Sequence, residues 1–185
     1  VFATCLRLVR EMVAGDSPLF LFLNDDQRDE YLAHYALPEF RYTVLPPGIE
    51  QDRRQPENHE RLRAEVRGSL GVNANETLVL FLGSGFKVKG LDRALKAFAT
   101  TPTSTRLMIV GNDDSVPYLR KLDPAIRERV MVLGPRDDVP ALMQAADLLL
   151  HPAYRESAGM VLLEATVAGL PGRTKGNGRH SRPGK

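Results

Sequence analysis

From His59 onward the chain alternates two patterns. Thr77–Leu82, Leu107–Val110, Val130–Leu133 and Leu148–Leu150 are short continuous apolar runs, as expected of strands covered on both faces. Between them, Arg61–Leu70, Leu91–Ala99, Val116–Lys121, Val139–Ala146 and Gly159–Ala168 carry apolar residues at helical spacing. Strands alternating with amphipathic helices predict an α/β unit: a Rossmann-like parallel sheet with helices on both faces. Ligands of such sheets bind beyond the carboxyl ends of the strands.

The front of the chain is less regular. Leu6, Val9 and Val13 fall at helical spacing within Phe2–Val13, and Leu19–Leu23 reads as a buried strand. Asn24 with Asp25 and Asp26 offers an N-cap for a helix reaching about Tyr35. Tyr42–Leu45 reads as a strand, which Pro46, Pro47 and Gly48 stop. These patterns predict four segments: 1–48, the end of a first domain; 49–58, a polar linker; 59–171, an incomplete second domain; and 172–185, a basic tail. The tail has no apolar residue to bury and is expected to be disordered and non-native. Val1 opens on what reads as mid-protein sequence, so the chain is expected to be a fragment.

Three loops follow the predicted strands. Gly83-Ser84-Gly85-Phe86-Lys87-Val88-Lys89-Gly90 combines glycines that let the backbone approach a ligand with two lysines able to neutralise a diphosphate, or merely solvated. It fits neither the P-loop nor the GxGxxG spacing. Gly111-Asn112-Asp113-Asp114 permits another close approach, or is a plain turn before a helix. In Gly134-Pro135-Arg136-Asp137-Asp138, Asp138 reads as a helix cap, and Arg136 as a ligand contact or an aspartate's partner. After the last apolar run, His151–Pro171 holds Glu156 and Glu164 eight residues apart, with Ala158 and Gly159 where a helix begins. Small residues at a helix start let N–H groups meet an anion, and Glu164 can accept from hydroxyls. A ligand with a phosphate end and a hydroxyl-rich end fits, as a nucleotide sugar would.

Charge narrows the alternatives. The net charge of +2 hides an asymmetry, because five of the 25 basic residues lie in 172–185 and the rest of the chain is net acidic. A nucleic-acid-binding body would carry its own basic face. Cys5 is the only cysteine, which excludes an internal disulfide and suits a reducing compartment. No apolar run nears membrane-spanning length. His34, His59, His151 and His180 form no metal-ligand spacing, and no D-x-D triplet offers a carboxylate clamp for a metal diphosphate.

Taken in order, LPPGI at 45–49, GSGF at 83–86, KGLDR at 89–93, ADLLLHPAY at 146–154, SAG at 157–159, VLLEA at 161–165 and AGLP at 168–171 resemble the nucleotide-sugar half of GT-B retaining glycosyltransferases of family 4. Within that family they are most similar to the lipopolysaccharide core glucosyltransferase I group. Glu156 and Glu164 reproduce its E-x7-E motif. The resemblance implies a GT-B fold, with two doubly wound domains and the active site between them. It implies catalytic roles for Glu156, near the donor sugar's hydroxyls and reacting face, and for Lys89, on the diphosphate. It places Glu164 on the ribose and the N–H groups of Ala158, Gly159, Met160 and Val161 on phosphate or sugar. Gly83, Ser84 and Lys87 would line the donor's phosphates, and Gly111 and Arg136 its nucleoside.

The implied reaction is transfer of a hexose, glucose from UDP-glucose, with retention, to a heptose of the lipopolysaccharide inner core. It uses no metal and no cofactor, since the nucleotide sugar is a substrate. The implied location is the cytoplasm, with the full-length enzyme peripheral at the inner face of the cytoplasmic membrane, where its acceptor lies. The sequence departs from the family where Val88 replaces a basic residue, with Lys87 one place earlier. As a fragment the chain is expected to be inactive in transfer. A non-catalytic nucleotide-sugar-binding module, or a family 4 transferase with another donor and acceptor, stands as the alternative.

Overall fold

A computed structural model of the chain describes residues 9–15, 19–156 and 159–174. The chain divides into two compact units, Val1–Gly48 and Ile49–Lys185.

In the first unit, residues 9–14 are helical, and β1 (Phe20–Phe22) pairs in parallel with β2 (Tyr42–Val44). Between them runs α1 (Asp25–Leu32), capped by Asn24, whose side chain accepts from Gln27 N–H at 2.8 Å. Gln27 Oε1 accepts in return from Leu23 N–H at 3.0 Å, a reciprocal arrangement like a capping box. Asp25 does not cap; it pairs with Arg28 at 2.6 Å. The expectation of a buried strand over Leu19–Leu23 is corrected. Successive strand residues face opposite sides, so Phe22 is buried while Leu19, Leu21 and Leu23 are exposed.

The second unit holds α2 (His59–Ser69), β3 (Thr77–Leu82), α3 (Phe86–Lys89), α4 (Leu91–Phe98), β4 (Thr105–Val110), α5 (Val116–Leu119), α6 (Pro124–Arg127), β5 (Val130–Gly134), α7 (Val139–Ala145), β6 (Leu148–His151), α8 (Met160–Val167) and β7 (Gly172–Thr174). The five strands form one parallel sheet in the order β5-β4-β3-β6-β7. Alternation along the strands splits the core in two. Leu78, Leu80, Met108 and Val110 pack with Leu142 and Met143 of α7 and Ala165 of α8. Val79, Phe81, Leu107 and Ile109 pack on the other face with Leu91, Leu95 and Phe98 of α4. The chain builds β3, β4 and β5 outward in one direction and then returns to lay β6 on the other side of β3. That reversal opens a crevice between the carboxyl ends of β3 and β6, where doubly wound sheets bind ligands.

Two boundaries move. The tail was expected to be disordered from Gly172, yet Gly172–Thr174 form β7, with Leu149↔Gly172 and His151↔Thr174 in register. All three residues are exposed; the edge strand is held by backbone pairing, which needs no apolar side chain. Residues 175–185 lie outside the described residues. The linker expected at 49–58 falls within the second unit: Gln51–Arg53 form a 3-10 turn, and Gln55 N–H donates to Val167 O at 3.2 Å.

At the amino end of β6, Asp147 joins the helices to the sheet. Its carboxylate accepts from Arg63, from Arg67 at 3.2 Å and from Leu78 N–H at 2.7 Å. Arg67, itself buried, also donates to Ala145 O, Asn73 O and Glu76 O. Burial pushes the Asp147 carboxyl up, but the Leu78 N–H and the two guanidiniums outweigh it and hold it below its ordinary value. The folded pKa is the lower one. The network's contribution is therefore complete above the unfolded value of about 3.9 and lost as pH falls through the folded value. Asp147→Ala is expected to cost about 2 kcal/mol, the figure for a broken buried pair reduced because the aspartate is partly exposed. Urea denaturation of both proteins at pH 7 and pH 3 checks this: the difference should shrink at the lower pH.

Candidate functional site

The loop after β3 and the loop after β6 meet across the crevice. Lys89 Nζ lies 2.7 Å from Glu156 Oε2, and His151 Nε2 lies 2.6 Å from the same oxygen. Lys89 and Glu156 are each about one-quarter exposed, whereas His151 is 2% exposed. Burial works to raise the Glu156 carboxyl. The hydrogen bonds and charges of Lys89 and His151 overcome this and lower it, so the group is a carboxylate at neutral pH. Glutamate, lysine and histidine thus present a fixed anion and a reachable cation at one mouth.

The backbone explains how these groups come together. Gly83, with φ 142°, follows β3 directly, and the stem of Lys89 crosses it: a Cβ there would stand 3.4 Å from Lys89 Cγ. Gly90, with φ 77°, separates α3 from α4 and lies against the carbonyl of Pro152. The β6 loop is tied to the same corner. Tyr154 N–H donates to Val88 O at 2.8 Å, Tyr154 Oη–H donates to Asp92 at 2.8 Å, and the Arg93 guanidinium stacks 3.3 Å from the Tyr154 ring centroid. The segment carrying Glu156 is therefore clamped to the segment carrying Lys89.

Ser84 and Lys87 stand exposed on the β3 loop. The first N–H groups of that loop's short helix are already used: Gly85 and Phe86 donate to the Asp113 carboxylate, the latter at 2.9 Å. Asp113 thereby ties the β4 loop to the β3 loop. The room that Gly111 leaves is filled by Gly83 O and by Phe86 Cε1, which a Cβ would meet at 2.7 Å. Gly111 thus serves loop-to-loop packing. Arg136 forms a bidentate pair with Asp138 at 2.8 and 2.6 Å. Asp138 occupies the N-cap position of α7 without a side-chain cap bond, because its oxygens are given to Arg136. The Arg136–Asp138 pair is exposed.

Beyond the β6 loop, Gly159 takes a left-handed conformation, φ 65°, and starts α8 at Met160. The N–H groups of Met160 and Val161 have no partner within the helix. A Cβ on Gly159 would lie 3.8 Å from Glu156 Cγ, so this helix start adjoins the carboxylate. Ala158, expected to contribute an N–H group, lies outside the described residues, as does Ser157. Glu164 is half-buried on α8, and its carboxylate makes no hydrogen bond or ion pair with another described residue. A cavity of about 640 Å³ opens elsewhere, against the β6–β7 face, lined by Val79, Phe98, Leu148, Leu150 and Pro152. Its lining also holds Arg93, Thr101, Arg173 and Thr174 but does not include Lys89, Glu156 or Glu164. Among the described residues no cluster of three His, Cys, Asp or Glu is placed to hold a metal, and no helix is long and apolar enough to cross a membrane.

Sequence reasoning missed Asp113, left His151 undecided and did not weigh Tyr154, Asp92 or Arg93 as a clamp. His151 closes a buried strand five residues before Glu156, which was a usable signal. The Asp92–Tyr154 contact spans 62 residues and leaves no local pattern.

Comparison with known proteins addresses the same region. The sequence model of the family described as glycosyl transferases group 1 matches residues 63–172, more than half of the chain. The lipopolysaccharide glucosyltransferase WaaG of Escherichia coli (strain K12) is 41% identical over 162 residues, covering 85% of this chain and 43% of that protein. A D-inositol 3-phosphate glycosyltransferase of Mycobacterium sp. (strain KMS) is 34% identical over 179 residues, covering 90% of this chain and 39% of that protein. The crystal structure of WaaG, a glycosyltransferase involved in lipopolysaccharide biosynthesis, superposes with a TM-score of 0.80 at 40% identity, over 87% of this chain and 45% of that one. The chain thus spans less than half the length of these relatives.

Proposed function

The chain belongs to the glycosyl transferases group 1 family, and from that premise we propose that it carries the donor site of a retaining hexosyltransferase that glucosylates the lipopolysaccharide inner core from UDP-glucose. The observation that carries this reading is the meeting of Lys89 and Glu156 at the crevice between β3 and β6, 2.7 Å apart. Lys89 is the lysine paired with Glu156 at that mouth, so it takes the diphosphate. When the bond from the anomeric carbon to the diphosphate oxygen breaks, the electron pair goes to that oxygen, and the ammonium stabilises the charge that develops. Glu156, an ionised acceptor, orients the glucose hydroxyls. Met160 and Val161 N–H groups face the phosphate or sugar, with the helix dipole behind them. Glu164 accepts from the ribose hydroxyls. Gly83 and Ser84 line the phosphates, Lys87 adds a second cation, and Arg136 stands toward the nucleoside, its pairing with Asp138 open to exchange. No metal or cofactor enters the reading.

The similarity to WaaG favours glucose and a lipopolysaccharide acceptor, with the complete enzyme working in the cytoplasm, peripheral to the membrane that carries its acceptor. In this chain we expect donor binding without transfer. The 34% identity to an inositol phosphate glycosyltransferase supports a second reading, with the same donor chemistry and a different sugar or acceptor. Calorimetry decides whether the donor site exists. UDP-glucose should bind the wild-type chain, and Glu164→Ala should weaken both UDP and UDP-glucose about tenfold through the loss of hydrogen bonds to a charged group. Equal affinity of the two proteins would remove Glu164 from the site.

A further inference from the structure

We infer that His151 is the positioning residue of Glu156: it holds Oε2 from the protein side, so that the carboxylate keeps its place when Lys89 turns to a diphosphate. The inference rests on the donor-site reading above. Glu156 Oε2 receives two donors, Lys89 Nζ at 2.7 Å and His151 Nε2 at 2.6 Å. These partners differ in kind. Lys89 is a flexible stem, partly exposed, whose charge a phosphate would attract. His151 is 2% exposed and belongs to β6, where its backbone is in register with Thr174 of β7. A bound diphosphate can therefore draw the first donor away, while the second stays.

The protonation pattern follows from the partner. Glu156 is ionised and can only accept, so Nε2 carries the proton. Nδ1 is then buried without a hydrogen-bond partner among the described residues. A buried nitrogen left unmatched is a cost, and among the described residues the ring's polar bond is the one to Glu156. The imidazole is thus explained by the carboxylate it holds. Glu156 Oε1 accepts from no described residue, which leaves it for the sugar hydroxyls once Oε2 is fixed.

The test uses the 185-residue chain, UDP and UDP-glucose, and two variants. His151→Gln keeps an N–H donor near the place of Nε2, and His151→Leu removes it. His151→Leu should lose about tenfold in affinity for UDP-glucose while its affinity for UDP stays within about twofold, and His151→Gln should recover most of the loss. A fall in UDP and UDP-glucose affinity together, unrelieved by glutamine, would show a merely structural ring and overturn the inference. So would unchanged UDP-glucose affinity in a folded His151→Leu chain. If the wild-type chain binds neither ligand, the donor reading fails, and nitrogen-15 spectra of the free chain decide the positioning inference. A proton on Nε2, with a ring signal that shifts in Glu156→Gln, supports it; a proton on Nδ1 alone contradicts it.

Discussion

Lys89→Ala is expected to weaken UDP-glucose binding about thirtyfold, the largest loss from any single side chain in this site. The figure follows from removing one charge-assisted hydrogen bond to a diphosphate, about 2 kcal/mol. The ammonium is not idle in the free protein. It is paired with Glu156, so binding exchanges a carboxylate for a diphosphate and gains only the difference. Removal also leaves Glu156 with a single donor, His151, and with less to hold its carboxyl down. Titrating Lys89→Ala and Lys89→Arg with UDP-glucose checks the account. Arginine should retain part of the affinity, because charge is kept while the stem crossing Gly83 changes shape. Wild-type affinity in Lys89→Ala would place the diphosphate elsewhere.

Gly90→Ala is expected to destabilise the second unit by about 3–4 kcal/mol. Two costs add. At φ 77° an alanine sits in the left-handed region, which costs about 1–2 kcal/mol. Its Cβ would stand 3.1 Å from the Pro152 carbonyl carbon and nearer still to the oxygen, and such overpacking costs about 1–3 kcal/mol. The obstructing atoms are backbone, so no rotamer change relieves the contact. The β6 loop would have to move away from the corner where Tyr154 ties it to Val88 and Asp92. That motion separates Glu156 from Lys89, so donor affinity should fall together with thermal stability. A melting temperature lowered by more than about 10 °C is expected. Gly85→Ala is the matching control, at φ 75° with no atom within 4 Å of its Cβ; it should carry only the conformational part.

Periodicity reveals much of this fold because the second unit's sheet is buried on both faces. Continuous runs such as Thr77–Leu82 and alternating helices such as Leu91–Phe98 have one packing solution, and the structure uses it. The same logic misleads at β1, where Leu19, Leu21 and Leu23 look like a buried run but share the exposed side of a short strand. It misses β7, because an edge strand of Gly172, Arg173 and Thr174 is specified by backbone pairing and not by side chains. Of the three four-residue helices among the described residues, Val116–Leu119 was expected, while Phe86–Lys89 and Pro124–Arg127 carry no periodicity that registers.

In the site, the motif residues Lys89 and Glu156 are visible in sequence because their types and loops are distinctive. What holds them is not. The Asp113 carboxylate closing the β3 loop and the Tyr154–Arg93–Asp92 clamp act across long separations in the chain, whereas His151 lies only five residues from Glu156 and its role rests on burial that the local pattern does not reveal. Arg136 shows the converse: a residue of suitable chemistry in a suitable loop that, in the free protein, spends its guanidinium on Asp138 two residues away.

The most direct test of the central claim, that the carboxyl ends of β3 and β6 form a UDP-sugar donor site, is an amide chemical-shift map of the nitrogen-15-labelled chain titrated with UDP-glucose. The account predicts saturable shifts at the Gly83–Gly90 loop, His151–Glu156, α8 through Glu164 and the loop of Arg136, with the Phe20–Val44 region and the amino ends of the strands unmoved. Shifts centred on the apolar cavity beside β7, or no saturable shift at donor concentrations in the millimolar range, about where the weakest specific complexes form, would contradict it.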